Sequence, residues 1–338
     1  MHAPVRKLSL VVVGAVLGAL IAASPALAGN AGFAPVTPDS PNAHTITDAY
    51  WFITGFALFV LVGVEGLLVT FIVRYRRRNR ARDAEGPQIH GSTRLENMWT
   101  LIPVVILVAV AAFVFVKLPG IKNVPSANAA AGRLEVTVSG QQFSWQFTYP
   151  NGAVAIDHLR VPLGEPVHLT VTAPNWDVIH SWWIPALGGK IDAIPGRLNH
   201  TWFTARKLGT FSGRCAELCG VQHAAMLMTV EVLPRDQFEQ WEARRAQQQT
   251  SGTARDTLGE EEWTGSCGKC HGLAGQGLYG PRIAGSGTLQ DETALTKLLR
   301  NGLERPGRPA MPPVGREWSQ DQLDALGAYL KERFGSQS

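Results

Sequence analysis

Two long apolar runs near the start of the chain predict membrane-spanning helices. Residues 50–73 contain Glu65 as their one charged residue, and residues 99–116 contain none. A helix needs about 20 apolar residues to cross a bilayer, so both runs are long enough. A charged residue inside a membrane span is rare. We therefore expect Glu65 either to have a functional role or to contact a partner subunit.

A shorter apolar run at the very start predicts a signal peptide over residues 1–28. Arg6 and Lys7 precede it, residues 8–23 are apolar with one serine, and Ala26-Leu27-Ala28 has the form of a cleavage site. This order of basic, apolar and small residues is typical of secretory signals. The run is also shorter than a transmembrane helix requires.

The polar residues between the two spans predict the orientation of the hairpin. Six arginines lie within residues 74–82, whereas residues 24–50 contain no lysine or arginine. Arginine-rich loops stay in the cytoplasm. We therefore expect a transmembrane hairpin with its linker over 29–132, and everything after residue 118 on the outer side of a bacterial-type inner membrane.

From residue 134 the pattern alternates with a period of two. Leu134, Val136 and Val138 alternate with polar residues, and residues 167–172 and 227–232 repeat the pattern, with turn signals such as Asn151-Gly152 between them. Alternation of this kind predicts half-buried strands. The sequence thus predicts an all-β sandwich or barrel over 133–234.

The rest of the chain changes to polar and then to helical patterning. Residues 235–258 are polar and rich in glutamine, which predicts a linker with one short helix. Residues 259–338 predict a small all-α domain, with helices clearest at 292–301 and 320–334.

Composition and charge agree with this organisation. Charged residues make up 17% of the 338, below the ~25% of soluble proteins. The net charge of +4 is small and its excess is local, so no nucleic-acid partner is indicated. Four cysteines are too few for a disulfide scaffold of this size.

One cysteine pair lies in the sequence Cys267-Gly268-Lys269-Cys270-His271. C-x-x-C-H is the attachment signature of covalent haem c, in which the histidine binds iron. A zinc site would lack ligands here, because no further Cys or His follows, and a thioredoxin-like site would need a βαβ context. Met311 is the one methionine after His271, which makes it the natural sixth ligand.

The other pair belongs to a cluster of soft ligands: Cys215, Cys219, His223 and Met226. Such a set favours copper, while zinc held by two cysteines and two histidines stays open at this point. The spacing could mark one face of a helix, but Gly213, Gly220 and the flanking strands favour a loop. His180, at the end of an apolar strand, is the candidate for a second histidine.

These motifs resemble subunit II of cytochrome c oxidase, in the branch with a cytochrome c domain fused at the C-terminus. The run Cys-x-Glu-x-Cys-x3-His-x2-Met is similar to the copper A loop of that family, and His180-Ser181-Trp182 with residues 188–197 is similar to the segment carrying its first histidine. The resemblance implies a multidomain membrane protein with a two-helix transmembrane hairpin, a cupredoxin-like Greek-key barrel and a small all-α cytochrome c domain.

The resemblance also implies the ligands of two copper ions. Cys215 and Cys219 would bridge them, His180 and Met226 would complete one site, and His223 with the backbone carbonyl of Glu217 would complete the other. The Glu217 carboxylate would face a magnesium ion shared with subunit I. Met228, inside the following strand, is assigned to packing.

Two further segments are similar to the family. Glu96 matches a glutamate near the cytoplasmic mouth of a proton pathway in subunit I, although the helix dipole explains an acidic residue there equally well. Phe143 and Trp145 lie in a segment that resembles the aromatic path for electrons. Many relatives have tryptophan at the position of Phe143, where soluble cytochrome c delivers electrons, so this departure argues against that route.

The function implied is an electron relay in a respiratory oxidase. A donor such as a cytochrome c or a quinol-oxidising complex would reduce haem c on Cys267, Cys270, His271 and Met311, and the electron would pass through copper A to subunit I. Oxygen reduction and proton pumping would occur there, with subunit III as a further partner and no catalytic residue in this chain. The open alternatives are a copper A nitric oxide reductase subunit and a non-catalytic membrane copper-binding protein. The two spans and the fused haem count against nitrous oxide reductase.

Overall fold

A computed structural model describes residues 34–76, 88, 90–124, 132–251, 255–304, 306 and 310–335. The expected signal peptide and most of the arginine-rich loop lie outside the described residues. The chain divides into two compact units, a helical hairpin over His44–Asn123 and a second unit that contains the residues from Val124 onward.

The hairpin consists of helix α1 (Pro41–Tyr75) and helix α2 (Thr93–Lys122). Within it the rings of Phe52 and Phe113 stack with their centroids 4.1 Å apart. Most of its large apolar side chains point outward, and both helices are long and apolar enough to cross a membrane. A surface of this kind is suited to lipid or to a partner subunit rather than to water.

The β domain consists of ten strands in the described residues. They are β1 (Leu134–Gln141), β2 (Ser144–Thr148), β3 (Val154–Ile156), β4 (His158–Pro162), β5 (Val167–Thr172), β6 (His180–Trp182), β7 (Ile191–Ala193), β8 (Asn199–Phe203), β9 (Gly209–Arg214) and β10 (Leu227–Leu233). The sheets run β3-β2-β1-β5-β8, β4-β10-β9 and β6-β7. Because β1 pairs in parallel with β5, and β10 with β4, the chain crosses between sheets as in a Greek-key barrel. The predicted cupredoxin-like domain is confirmed.

The alternating pattern places one set of side chains in the core of this domain. Val138, Leu169 and Val230 are completely buried, and burial of an aliphatic side chain of this size contributes about 1.5–3 kcal/mol relative to exposure. Met228 is also buried in β10, where it packs among these apolar residues.

Helix α3 (Arg235–Ser251) occupies most of the segment predicted to be a linker over 235–258. The structure therefore differs from the prediction, which allowed one short helix. Residues 235–251 contain no glycine or proline, and most of them are good helix formers. Trp241 packs against Tyr149 of the β domain, with ring centroids 5.0 Å apart, so tertiary contact also stabilises the helix.

The C-terminal helical domain begins at Arg255, a few residues before the predicted start at 259. Its elements are α4 (Arg255–Glu262), a π-helical turn (Trp263–Cys267), α5 (Gly268–His271), a 3-10 turn (Gly287–Gln290), α6 (Glu292–Asn301) and α7 (Gln320–Phe334). Helices α4 and α7 cross closely at Gly259. A Cβ at this position would lie 2.3 Å from the Ala325 carbonyl oxygen. Only glycine fits at that crossing.

Candidate metal centre and haem cavity

The soft ligands lie on a loop over 215–226, here called the ligand loop, which joins β9 to β10. The Cys215 N–H donates to the Met226 carbonyl oxygen at 2.9 Å and closes the base of the loop. At its tip Gly220 adopts φ +131°, a conformation that favours glycine. The loop prediction thus agrees with the structure, in which the 3-10 turn His223–Ala225 is the one helical turn of this loop.

Folding of the ligand loop gathers its donor atoms. The Cys215 and Cys219 sulfur atoms are 3.9 Å apart, and the Cys219 sulfur lies 3.5 Å from His223 Nδ1 and 3.7 Å from the Met226 sulfur. The Glu217 carbonyl oxygen is 3.2 Å from the Cys215 sulfur. Five of the expected copper ligands therefore converge on one point.

His180 supplies the sixth donor from the neighbouring strand β6. Its ring is completely buried, and one of its nitrogens lies within 4.8 Å of both cysteine sulfurs. Neither nitrogen has a hydrogen-bond partner among the described residues, although Asp177 Oδ1 is 3.4 Å from Nε2. An unpartnered buried imidazole is costly, and a metal ion would satisfy it.

The electrostatics of the site favour a bound cation. Burial opposes charging of His180, but Asp177 and Cys215 together raise its pKa. The neighbouring Cys219 thiol lowers the pKa of Cys215, and Cys215 in turn raises that of Cys219, because the pair holds one negative charge more easily than two. Two thiolates, two imidazoles, a thioether and a carbonyl also exceed the four ligands of a tetrahedral zinc ion, and their softness fits copper.

The Glu217 carboxylate lies away from the thiols. Its Oε2 is 3.5 Å from Lys190 Nζ, which also lies 3.5 Å from Asp192 Oδ1. The backbone of Glu217 therefore belongs to the cysteine cluster, while its side chain belongs to a half-exposed group of charges.

The haem-attachment residues line a cavity of about 680 Å³ that also contains Met311 in its wall. Cys267 ends the π-helical turn, Cys270 and His271 lie in α5, and Met311 comes from the segment after α6. A cavity of this size with mostly apolar walls is suited to a large flat cofactor. The two attachment cysteines and the two expected iron ligands thus line one cavity.

Local contacts orient the two axial candidates. His271 Nδ1 donates to the Pro281 carbonyl oxygen at 2.8 Å, which leaves Nε2 as the nitrogen available to a metal. Met311 pairs with Leu303 through two backbone hydrogen bonds of 2.8 and 2.9 Å. Gly302 lets these segments approach, since a Cβ there would lie 2.4 Å from the Met311 carbonyl oxygen.

The cavity and the ligand loop share a wall. Phe143 of the β domain and Gly220 and Val221 of the ligand loop line the cavity beside the attachment residues. A Cβ on Gly220 would lie 3.1 Å from the Phe143 ring, and Gln142 Nε2 donates to the Cys219 carbonyl oxygen at 2.6 Å. Only this thin layer separates the cavity from Cys219.

The remaining predicted residues are Phe143 and Trp145 of the β domain and Glu96 of the hairpin. Phe143 is buried at the shared wall, and Trp145 is completely buried behind it, with its ring centroid 6.1 Å from that of His180. Glu96 lies in the hairpin, where its carboxylate accepts a hydrogen bond from the Ser92 N–H at 3.3 Å. That contact is the ordinary one for an acidic residue in the first turn of a helix.

Sequence reasoning missed three charged residues next to these sites. Asp177 lies beside His180, and Lys269 and Asp157 form an ion pair beneath the cavity. Asp177 has a local signal, since it precedes His180 by three residues. The other two are 112 residues apart, and their separate positions do not indicate that they meet.

Three family models match the chain. The model described as cytochrome c oxidase subunit II, transmembrane domain, matches residues 29–116, and the one described as cytochrome c oxidase subunit II, periplasmic domain, matches residues 151–233. The third, described as cytochrome c oxidase, cbb3-type, subunit III, matches residues 254–330.

Individual proteins give the same result. Cytochrome c oxidase subunit 2 of Alkalihalophilus pseudofirmus is 32% identical over 325 residues, which cover 90% of this chain and 91% of that protein. The subunit 2 of a Bacillus species (strain PS3) is 32% identical over 284 residues, or 76% and 79% of the two chains. The crystal structure of the periplasmic domain of cytochrome oxidase subunit II from Bradyrhizobium japonicum is 34% identical, covers 37% of this chain and 98% of that chain, and has a TM-score of 0.34.

Proposed function

Since the chain belongs to the cytochrome c oxidase subunit II family, we propose that it takes up electrons for a haem–copper oxidase. It is a membrane protein and a subunit of an oxidase complex, and its domains imply a copper A centre and haem c. In the proposed relay this chain would hold haem c and copper A between an electron donor and subunit I, which would reduce oxygen and pump protons.

The shared wall is the observation that carries this proposal. Cys267, Cys270 and Met311 line the same cavity as Gly220 and Val221, which lie between Cys219 and His223 in the ligand loop. Two sites for one-electron carriers are thus held side by side in one unit. Such proximity would serve no purpose in a protein that only stores copper.

The protein's own residues provide rigidity and soft coordination. When bound, haem c and the copper pair supply two stations that each accept and release one electron. His271, fixed by the Pro281 carbonyl, and Met311, fixed by Leu303, would hold the iron. Ligands held by a β barrel change little between oxidation states, which favours fast transfer.

The number of donors supports two copper ions. His180, Cys215, Cys219, His223, Met226 and the Glu217 carbonyl oxygen provide more donor atoms than one tetrahedral site uses. Cys215 and Cys219 with His180 and His223 would hold the two ions. The proposal includes magnesium at the border with subunit I, because the carboxylates of Glu217 and Asp192 lie on the same lysine and oxygen ligands suit that ion.

The copper assignment is tested by Cys219→Ser in the intact complex. A hydroxyl is a poor ligand for copper, so we expect loss of copper by metal analysis and loss of the near-infrared absorption of the copper pair. The haem c spectrum should remain, because its ligands belong to another domain. Met228→Leu is the matched control, since Met228 is a buried methionine of β10 outside the donor set, and it should keep its copper. Zinc without copper in the wild-type protein, or full copper in Cys219→Ser, would contradict the assignment.

A further inference from the structure

The C-terminal helical domain is packed directly on the β domain. Val154 and Ile156 of β3 form a buried apolar cluster with Leu258 and Ala325 of the helical domain. A Cβ on Gly265 would lie 2.5 Å from the Ile156 side chain, so the backbone before Cys267 rests on the edge of β3. The two domains therefore have a definite docked arrangement rather than only a tether.

A lysine inside the haem-attachment motif crosses this interface. Lys269 Nζ donates to Asp157 Oδ2 at 2.6 Å and to the Phe143 carbonyl oxygen at 2.9 Å. The side chains of Lys269 and Asp157 are 13% and 11% exposed. Most surface ion pairs contribute little, but a pair removed from water is sensitive to the loss of either partner.

Asp157 is itself fixed by the β domain. Its Oδ1 accepts the Trp145 N–H at 2.8 Å, and its backbone has φ +59°, a conformation that aspartate and asparagine tolerate better than most residues. Lys269 therefore contacts Phe143 in the turn between β1 and β2 and Asp157 between β3 and β4. Phe143 also lines the cavity beside Gly220 of the ligand loop.

We propose that Lys269 and Asp157 are a positioning pair that fixes the haem-attachment turn against the wall formed by Phe143 and Gly220. This proposal rests on the electron relay proposed above. The transfer oxidises ferrous haem to ferric haem and reduces the copper pair by one electron, with no bond or proton change at Lys269. Electron transfer between fixed sites weakens steeply with their separation, so a contact that holds two domains together controls its rate.

Both partners of Lys269 lie on the β domain. The positioning role of the pair is therefore distinct from stabilisation of the helical domain alone. A lysine that served only the fold of its own domain would bond within that domain. A second contact, Arg316 over the Trp176 ring at 5.7 Å, also joins the two domains, so loss of the ion pair should loosen the docking without releasing the domain.

The test uses the intact oxidase complex with Lys269→Met, Asp157→Asn and the double variant. Asparagine keeps the oxygen that accepts the Trp145 N–H, tolerates the backbone conformation and removes the charge. After photoreduction of haem c, its reoxidation and the near-infrared band of the copper pair report the internal transfer rate. We expect each single variant to slow this step about tenfold or more, with unchanged haem potential and copper spectrum.

The double variant should be no slower than the single variants, because either one already breaks the pair. Lys269→Arg should restore part of the rate, and Lys297→Met, an exposed lysine of α6, should leave it unchanged. Limited proteolysis of the complex should separate the helical domain from the β domain faster in the single variants than in the wild type, which is a readout independent of turnover.

Wild-type internal rates in both Lys269→Met and Asp157→Asn would overturn the positioning role and leave the relay intact. If Lys269→Met fails to attach haem, Asp157→Asn decides, since it lies outside the attachment motif. A slow rate accompanied by a shifted haem potential in Asp157→Asn would also overturn the proposal. If photoreduced haem c in the wild-type complex never reduces copper, the relay itself fails, and the positioning role with it.

Discussion

Glu262 ends helix α4, five residues before Cys267, and its side chain is completely buried. Neither carboxylate oxygen has a partner at hydrogen-bond geometry among the described residues. Burial raises the pKa of Glu262 well above its ordinary value, while the Gln322 side chain and the charge of Arg245 oppose the rise. A buried carboxyl group of this kind links the stability of the helical domain to pH.

Replacement of Glu262 by glutamine should remove this link. The pKa of Glu262 is higher in the folded than in the unfolded protein, so its contribution to stability is fully present below about pH 4.3 and is lost as the pH rises through the folded pKa. Relative to the wild type, Glu262→Gln should therefore gain stability with rising pH, by about 1.4 kcal/mol for each unit by which the pKa is raised.

The measurement is the thermal unfolding midpoint of the helical domain in the intact complex, followed by haem absorbance at pH 5 and pH 8. Glu292→Gln, an exposed residue in the first turn of α6, is the control and should not show the same rise. If the unfolding midpoints of Glu262→Gln and the wild type differ by the same amount at pH 5 and pH 8, the pKa of Glu262 is not raised.

At the scale of elements, the hairpin of α1 and α2 determines the side of the membrane on which the other domains lie. Arg74 lies in the last turn of α1, Arg76 follows the helix, and four further arginines lie within residues 77–82. Because such a loop is retained in the cytoplasm, a reporter fused after Leu233 should be active only on the outer side. The same reporter inserted within 77–87 should be active only in the cytoplasm. Cytoplasmic activity of the Leu233 fusion would refute the orientation.

Some elements could be predicted to the residue and others could not. Helices α6 and α7 have their predicted bounds because their N-terminal signals are local: Asp291 accepts the Ala294 N–H at 3.0 Å, and Ser319 forms a capping box with Gln322. The ligand loop was equally accessible, since most of its donors lie within twelve residues. The length of helix α3 was underestimated. Its polar composition gave no indication that Trp241 would contact Tyr149 of the β domain.

The contacts between the β domain and the helical domain could not be predicted from the sequence, for a different reason. Lys269 occupies a position in C-x-x-C-H that the haem chemistry leaves free, and Asp157 follows a short strand without any motif. Their pairing depends on how two independently patterned domains dock. No periodicity within either domain records that geometry.

At the scale of the whole molecule, the helical domain covers the face of the β domain through which an external donor would reach the ligand loop. Phe143 is buried at that face, at the position where the family resemblance leads us to expect a tryptophan. We therefore expect a chain that ends after Gly252, assembled with its partner subunits, to bind copper but to oxidise soluble cytochrome c about a hundredfold more slowly than the intact complex, since it lacks the advantage of a tethered carrier.

Metal analysis and reduction by a small-molecule donor are the controls for this truncation. Both should be normal if the β domain keeps its structure, so that a slow reaction with cytochrome c reports the missing relay. Equal rates in the truncated and intact complexes would show that electrons enter at the β domain directly.

The apolar cluster of Val154, Ile156, Leu258 and Ala325 has a consequence for how carriers compete. A soluble carrier must dissociate after each delivery, and encounters of that kind bury small and weakly held surfaces. A carrier encoded in the same chain does not need to dissociate. Its contact with the β domain can therefore exclude water as a domain core does. The helical domain therefore stays docked beside the ligand loop. In the proposed relay, soluble carriers would compete with one another for the helical domain, and their departure would not delay the next reduction of copper.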